Sequence, residues 1–89
     1  MKHLNIRVSG KVQGVFFRAS AKAQADELGV KGFACNEGNG EVYIEAEGKE
    51  DKLQLFLNWC AHGPNRARVE HIKVDESTPR NFTCFEVRR

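Results

Sequence analysis

The chain has 89 residues, of which 29% are charged and 40% apolar, and its formal net charge is +2. This length leaves no room for a second hydrophobic core, so we expect one domain over residues 1–89. The charge is too mild to indicate nucleic-acid binding by itself, although it is compatible with a small anionic ligand.

The amino-terminal residues lack the apolar segment of a secretory signal, and no apolar run approaches the length that spans a membrane. The three cysteines, Cys35, Cys60 and Cys84, are odd in number and widely spaced, which argues against a disulfide framework and a CxxC metal site. We therefore expect a cytoplasmic protein with free thiols and no membrane partner. A single disulfide pair is the alternative if the protein meets an oxidant.

The first third of the chain predicts a strand followed by a helix. Alternating apolar residues predict the strand over residues 4–12. The helix is predicted from residue 18 or 19 to residue 28, because apolar side chains recur at helical spacing at Phe17, Ala21, Ala25 and Leu28. Gly29 follows where a left-handed C-cap favours glycine.

The middle of the chain predicts a hairpin. Residues 31–36 are typical of a short strand, and the turn-forming residues 37–40 would close the hairpin. Apolar residues then alternate with polar ones until Gly48, which predicts a half-buried strand. The acidic residues of this region, Glu41, Glu45 and Glu47, are expected to form a solvated face of the sheet.

The last part of the chain predicts a second helix over residues 49–62, stopped by glycine and proline. A strand over residues 69–74, a loop over 77–81 and a short strand over 82–87 follow. The resulting order is strand, helix, strand, strand, helix, strand and a short extra strand. It is typical of the α+β, ferredoxin-like (split βαβ) sandwich, with both helices on one face of a mostly antiparallel sheet.

Residues 10–18, which read GKVQGVFFR, connect the first strand to the first helix. A helix N-terminus exposes backbone N–H groups without partners, and the helix dipole adds partial positive charge there. The guanidinium of Arg18 adds a planar fork of donors that matches phosphate or carboxylate oxygens. This segment is therefore predicted to hold a phosphoryl-type group. The alternative is an ordinary connection with glycines at the turn.

Two segments carry a resemblance to a known family. The run VSGKVQGVFFR at residues 8–18 resembles the first signature of the acylphosphatases. Residues 32–36, GFACN, followed by the sequence GEV at 40–42 and by Gly48, are similar to their second signature. Residues 63–70 also look family-like, so the resemblance covers nearly the whole chain.

The resemblance implies a monomeric hydrolase that needs no metal or other cofactor. Its expected substrate is a small acyl phosphate, whose carboxyl–phosphate anhydride it cleaves to a carboxylate and phosphate. Phosphate or sulfate would be a product-like ligand. Arg18 matches the substrate-binding arginine and Asn36 the asparagine that orients the attacking water. The phosphate cradle is matched by the backbone of Gln13, Gly14, Val15, Phe16, Phe17 and Arg18.

The remaining residues invite simpler interpretations. Phe16 and Phe17 are expected to pack in the core or against the loop, and the side chain of Gln13 is treated as secondary to its backbone. His3, His62 and His71 lack metal-ligand spacing and are read as surface or hydrogen-bonded residues.

Two other functions stay open. One is an RNA-recognition module, which shares the element order, and the other is a relative that binds phosphate-like anions without turnover.

Overall fold

The computed structural model describes all 89 residues, which form two helices and one five-stranded sheet. The strands are β1 (Lys2–Lys11), β2 (Lys31–Asn36), β3 (Val42–Gly48), β4 (Arg68–Ser77) and β5 (Phe85–Arg88); the helices are α1 (Phe17–Leu28) and α2 (Glu50–His62). The spatial order is β4-β1-β3-β2-β5, and only the β2–β5 pair is parallel. The predicted ferredoxin-like α+β fold is confirmed.

The core lies between the two helices and one face of the sheet. Ile6 and Val8 of β1 stand opposite Ile44 and Val42 of β3, and all four side chains are fully buried. The helices cover this face with the buried side chains of Phe17, Ala21 and Ala25 from α1 and Leu53, Phe56 and Cys60 from α2. Burial of each large apolar side chain contributes about 1.5–3 kcal/mol to the stability of the fold. This buried layer therefore holds the two helices against the sheet.

Both helices end as the sequence predicts. Gly29 adopts a left-handed conformation (φ 74°), and its N–H donates to the carbonyl oxygens of Ala25 and Asp26. Gly63 ends α2 by donating to the carbonyl oxygen of Trp59 at 2.8 Å. These bonds satisfy carbonyl groups that a helix end leaves without a partner.

Two strand boundaries differ from the prediction by three residues, and the others agree to within two. β4 runs on to Ser77 because its polar last residues pair with β1, where Ser77 stands opposite His3. Periodicity could not detect this part of the strand because it has no apolar residue. β5 begins at Phe85 and not at Phe82, because the backbone amide of Phe82 donates to the carboxylate of Glu47 and not to a strand.

The expectation of a solvated acidic face is wrong for Glu45 and Glu47, which are buried, whereas Glu41 is half-buried. The loop over residues 78–84 folds back and covers them, with Phe82 packed on His3 and on Phe33. His3 is fully buried and hydrogen-bonded, whereas His62 and His71 are exposed.

All three cysteines are free thiols. Cys60 is buried in the core, and burial raises the pKa of its thiol. Neither helix combines the length and the apolar character that crossing a bilayer requires.

Candidate active site

The connection between β1 and α1 leaves a set of backbone donors free. Gly14 and Phe16 both have positive φ, 74° and 63°, and Phe16 directly precedes the first residue of α1. No amide from Gly14 to Ala19 donates to a backbone acceptor, and the first that does is that of Ser20, to the carbonyl oxygen of Phe16 at 3.0 Å. These N–H groups lie where the dipole of α1 favours an anion.

A cavity of about 270 Å³ lies beside this connection. It is lined by Val12, Gly14, Phe16, Phe17, Arg18, Ala19, Asn36 and Val87. The structure therefore brings together five residues that the sequence analysis selected: Gly14, Phe16, Phe17, Arg18 and Asn36. It does not bring in the side chains of Gln13 and Val15. Val15 is buried in the core and has only its backbone to offer.

Arg18 is fixed at the cavity by a contact with the last strand. Its Nη1 donates to the carbonyl oxygen of Arg88 at 2.8 Å. A guanidinium has five N–H donors, so this bond sets the orientation of the plane and leaves other donors for a ligand. The helix start and the end of β5 thus jointly position the only charged side chain that lines the cavity.

Asn36 is the last residue of β2 and pairs with Val42 of β3. Side chains alternate along a strand, so Asn36 shares the helix-facing side of the sheet with the buried Ala34. Its neighbour Cys35 does not line the cavity and is half-buried, as alternation predicts. Burial raises the pKa of the Cys35 thiol, and the charge of Glu37 adds to the increase.

The side chain of Gln13 has a structural role that the sequence analysis underestimated. Its Nε2 donates to two backbone carbonyl oxygens of the β2–β3 hairpin, at 2.8 Å to Glu37 and 2.9 Å to Glu41. Arg7 also reaches this hairpin, with Nη1 at 2.9 Å from Oε1 of Glu37. The connection between β1 and α1 is therefore hydrogen-bonded to the hairpin that follows Asn36. The position of Gln13 between Gly10 and Gly14 in the sequence does not predict this contact.

Nowhere in the chain do three or more His, Cys, Asp or Glu side chains come together in a way that could hold a metal ion. The groups that surround the cavity are thus backbone amides, one guanidinium, one carboxamide and apolar side chains.

Comparison with known proteins adds an independent observation. The family model described as Acylphosphatase matches residues 4–87. The chain belongs to the acylphosphatase family. It is 47% identical over 88 residues to an acylphosphatase of Thermotoga maritima, a match that covers 99% of this chain and 98% of the relative. The resemblance noted in the sequence is confirmed, and the chain is an enzyme of this family.

Solved structures of acylphosphatases share the fold over the whole chain. The enzyme from Bacillus subtilis superimposes with a TM-score of 0.97 at 34% identity, covering 100% of both chains. The enzyme from Coxiella burnetii superimposes with a TM-score of 0.94 at 36% identity, covering 98% of this chain and 92% of that one.

The alternative of an RNA-recognition module has no support in this acylphosphatase fold. Such modules stack bases on exposed aromatic side chains of the sheet. Phe33 of β2 is buried, and the guanidinium of Arg88 lies over its ring at 3.9 Å from the ring centroid. Phe82 packs against the edge of the same ring.

Proposed function

We propose that this chain hydrolyses the carboxyl–phosphate anhydride bond of small acyl phosphates, giving a carboxylate and inorganic phosphate. One observation carries the proposal: Arg18 of α1 and Asn36 of β2 line the same cavity, next to free backbone amides. The names of the matched relatives support the substrate class.

The phosphoryl group is held by the connection between β1 and α1. In this proposal the amides from Gly14 to Arg18 and the guanidinium of Arg18 donate to its equatorial oxygens. Hydrogen bonds to charged groups are worth about 1.5–3 kcal/mol each. Donors arranged in advance stabilise the charge that spreads over these oxygens in the transition state.

Asn36 orients the attacking water. Its carboxamide has an acceptor and a donor, and it is too weak a base to take a proton. The water oxygen forms a bond to phosphorus while the bond between phosphorus and the acyl oxygen breaks. The acyl group leaves as a carboxylate with the electron pair of that bond. One water proton passes to a phosphate oxygen, and the other stays on the attacking oxygen.

This mechanism suits a reactive anhydride and does not suit a phosphate monoester. A carboxylate is a weak base that leaves without protonation, so no general acid is required. An alkoxide leaves poorly without one, and no carboxyl, imidazole or ammonium group lines the cavity. Phosphate monoesters are therefore expected to react very slowly.

The test compares Arg18→Ala and Asn36→Ala with two exposed controls, Arg66→Ala and Asn65→Ala, on benzoyl phosphate. Loss of one preorganised donor reduces kcat by about 10²–10³ in comparable sites. We expect such losses in both site variants and unchanged turnover in the controls. Arg18→Ala is also expected to weaken competitive inhibition by inorganic phosphate, whereas Asn36→Ala retains it.

Wild-type-like turnover in either site variant would refute the assigned roles. Phosphate binding by a wild-type chain that turns over no acyl phosphate would instead identify an anion-binding relative without catalysis. Metal independence, the monomeric state and the cytoplasmic location stay predictions. Hydrolysis measured in the presence of a chelator tests metal independence. Analytical ultracentrifugation, with sedimentation expected at monomer mass, tests the monomeric state.

A further inference from the structure

Phe16 has a combination of properties that folding does not explain. Its side chain is 72% exposed, although the sequence analysis expected it to pack in the core or against the loop. Its backbone is left-handed, at φ 63° and ψ 24°. A bulky residue with positive φ is a genuine outlier, and the conformation costs about 1–2 kcal/mol. Strain of this kind concentrates at functional sites.

A second exposed apolar side chain lies at the same place. Val87 of β5 is 40% exposed and lines the cavity together with Phe16 and the small side chain of Ala19. The other three exposed large apolar residues, Met1, Leu55 and Val74, do not line this cavity. Two of the five most exposed large hydrophobic residues thus meet beside Arg18.

The charge distribution divides the cavity into two parts. Arg18 is the only charged residue in its lining, and the proposed cradle assigns that charge to the phosphoryl group. Arg88 does not serve as a second cation, because its guanidinium lies over the ring of Phe33. The rest of the cavity wall offers apolar contact and no group that would balance a second negative charge.

We propose that Phe16, Ala19 and Val87 form a subsite for the acyl group, which selects uncharged apolar acyl phosphates. This inference rests on the proposed hydrolysis and specifies its substrate class. A cavity of about 270 Å³ lies just below the range of about 300–1,000 Å³ typical of small-molecule sites. It therefore suits a phosphoryl group with one ring or a short branched chain.

The experiment measures kcat/KM for benzoyl, acetyl and succinyl phosphate, the last of which carries a free carboxylate. The key variant is Phe16→Asn, because asparagine tolerates the left-handed conformation and removes the aromatic face. Val87→Thr keeps the shape of the side chain and adds a hydroxyl. Leu55→Asn is the matched control, because Leu55 is an exposed apolar residue (52%) away from the cavity.

We expect the wild type to prefer benzoyl over succinyl phosphate by at least about tenfold. The benzoyl-to-acetyl ratio is expected to fall by about tenfold in Phe16→Asn and by a smaller factor in Val87→Thr, since small changes in apolar contact alter kcat/KM by about 10–200-fold. Leu55→Asn should leave it unchanged. Comparing ratios between variants cancels the different intrinsic reactivities of the substrates.

An unchanged ratio in Phe16→Asn and Val87→Thr, with hydrolysis intact, overturns the subsite while leaving the proposed function standing. Proportional loss of both substrates and of inhibition by inorganic phosphate overturns it too, because Phe16 would then serve only the backbone cradle. Self-association that Phe16→Asn abolishes without a change in the ratio would assign the patch to an interface between copies. Absence of hydrolysis with all three substrates would instead reject the proposed function.

Discussion

Nδ1 of His3 lies 2.9 Å from Oε1 of Glu47, and both side chains are almost completely buried. The same carboxylate accepts the backbone N–H groups of Arg80, Asn81 and Phe82. Glu47 therefore holds the loop over residues 78–84, which directly precedes β5, against the sheet. On its other side, Nε2 of His3 lies 3.0 Å from Oε1 of Glu45, in a geometry that is not aligned for a hydrogen bond.

Glu47→Gln is expected to destabilise the fold by about 1–3 kcal/mol. The amide retains the shape of the side chain, but it loses the charge and replaces one acceptor with a donor that faces backbone N–H groups. Urea unfolding measures the change. Glu27→Gln, an exposed substitution on α1, is the control and should change the free energy of unfolding very little. Equal stability of both variants would contradict the role given to Glu47.

The same carboxylate predicts an acid-sensitive stability. Burial alone would raise the pKa of Glu47, but hydrogen bonds from the Arg80 amide, the His3 imidazole and the Phe82 amide outweigh it and hold the pKa below its ordinary value of 4.5. A lowered pKa in the folded state means that this stabilisation is fully present above pH 4.5. It is lost as the pH falls through the pKa of the folded state. Urea unfolding across this range should give a shallower acid decline for Glu47→Gln than for wild type.

Gln13→Ala tests the contact between the β1–α1 connection and the β2–β3 hairpin. The loss of two hydrogen bonds to the carbonyls of Glu37 and Glu41 is expected to lower stability by about 1 kcal/mol. Because the hairpin carries Asn36, we also expect a raised KM for benzoyl phosphate. Gln24→Ala, on α1, should leave KM unchanged. A wild-type KM in Gln13→Ala would show that these hydrogen bonds do not position Asn36 at the cavity.

Two glycines with positive φ are predicted to respond differently to alanine. A Cβ at Gly32 (φ 142°) would lie 1.8 Å from the carbonyl oxygen of Glu45 on the neighbouring strand, whereas a Cβ at Gly14 (φ 74°) meets nothing within 4 Å. Gly32→Ala should therefore lose about 4 kcal/mol or more, at the extreme of single substitutions. Gly14→Ala should lose only the conformational cost of about 1–2 kcal/mol. Thermal unfolding of the two variants should show the larger loss of stability in Gly32→Ala.

The single tyrosine offers a spectroscopic test of the covered face of the sheet. Burial, with a hydrogen bond from its hydroxyl to Oε2 of Glu45 at 2.8 Å, raises the pKa of Tyr43 from 10.0 to about 12. The stabilisation from the neutral phenol is present below pH 10 and is lost as the pH rises toward 12. Phenolate absorbance should appear near pH 12 in the folded chain and near pH 10 in denaturant. Coincident titrations would contradict the half-buried, hydrogen-bonded environment of Tyr43.

The element order was predictable because each helix and most strands bury one face, and burial leaves a period in the sequence. The positions of Arg18 and Asn36 were predictable from motifs at the ends of such elements. The burial of Glu45 and Glu47 was not predictable. A sheet face that is covered by a later loop shows the same alternation of polar residues as a face that is exposed to water. Of the residues that cover Glu45 and Glu47, only Phe82 is a large apolar one.

The region around Phe16 exposes another limit of pattern analysis. A helix that begins at Phe17, one or two residues earlier than predicted, places Phe17 in the core and leaves Phe16 outside it. The helical spacing of Phe17, Ala21 and Ala25 predicts the burial of Phe17. Phe16 lies outside this pattern, and its exposure follows from a left-handed backbone that only the coordinates show.

The cavity wall joins residues near the start of α1 to Val87 of β5, the last strand along the chain. Contacts between distant parts of a sequence slow the search for the native state. Helical signal requires only local contacts, whereas the complete cavity requires β5 to pair with β2. We therefore expect turnover to return no earlier than helical signal after dilution from denaturant.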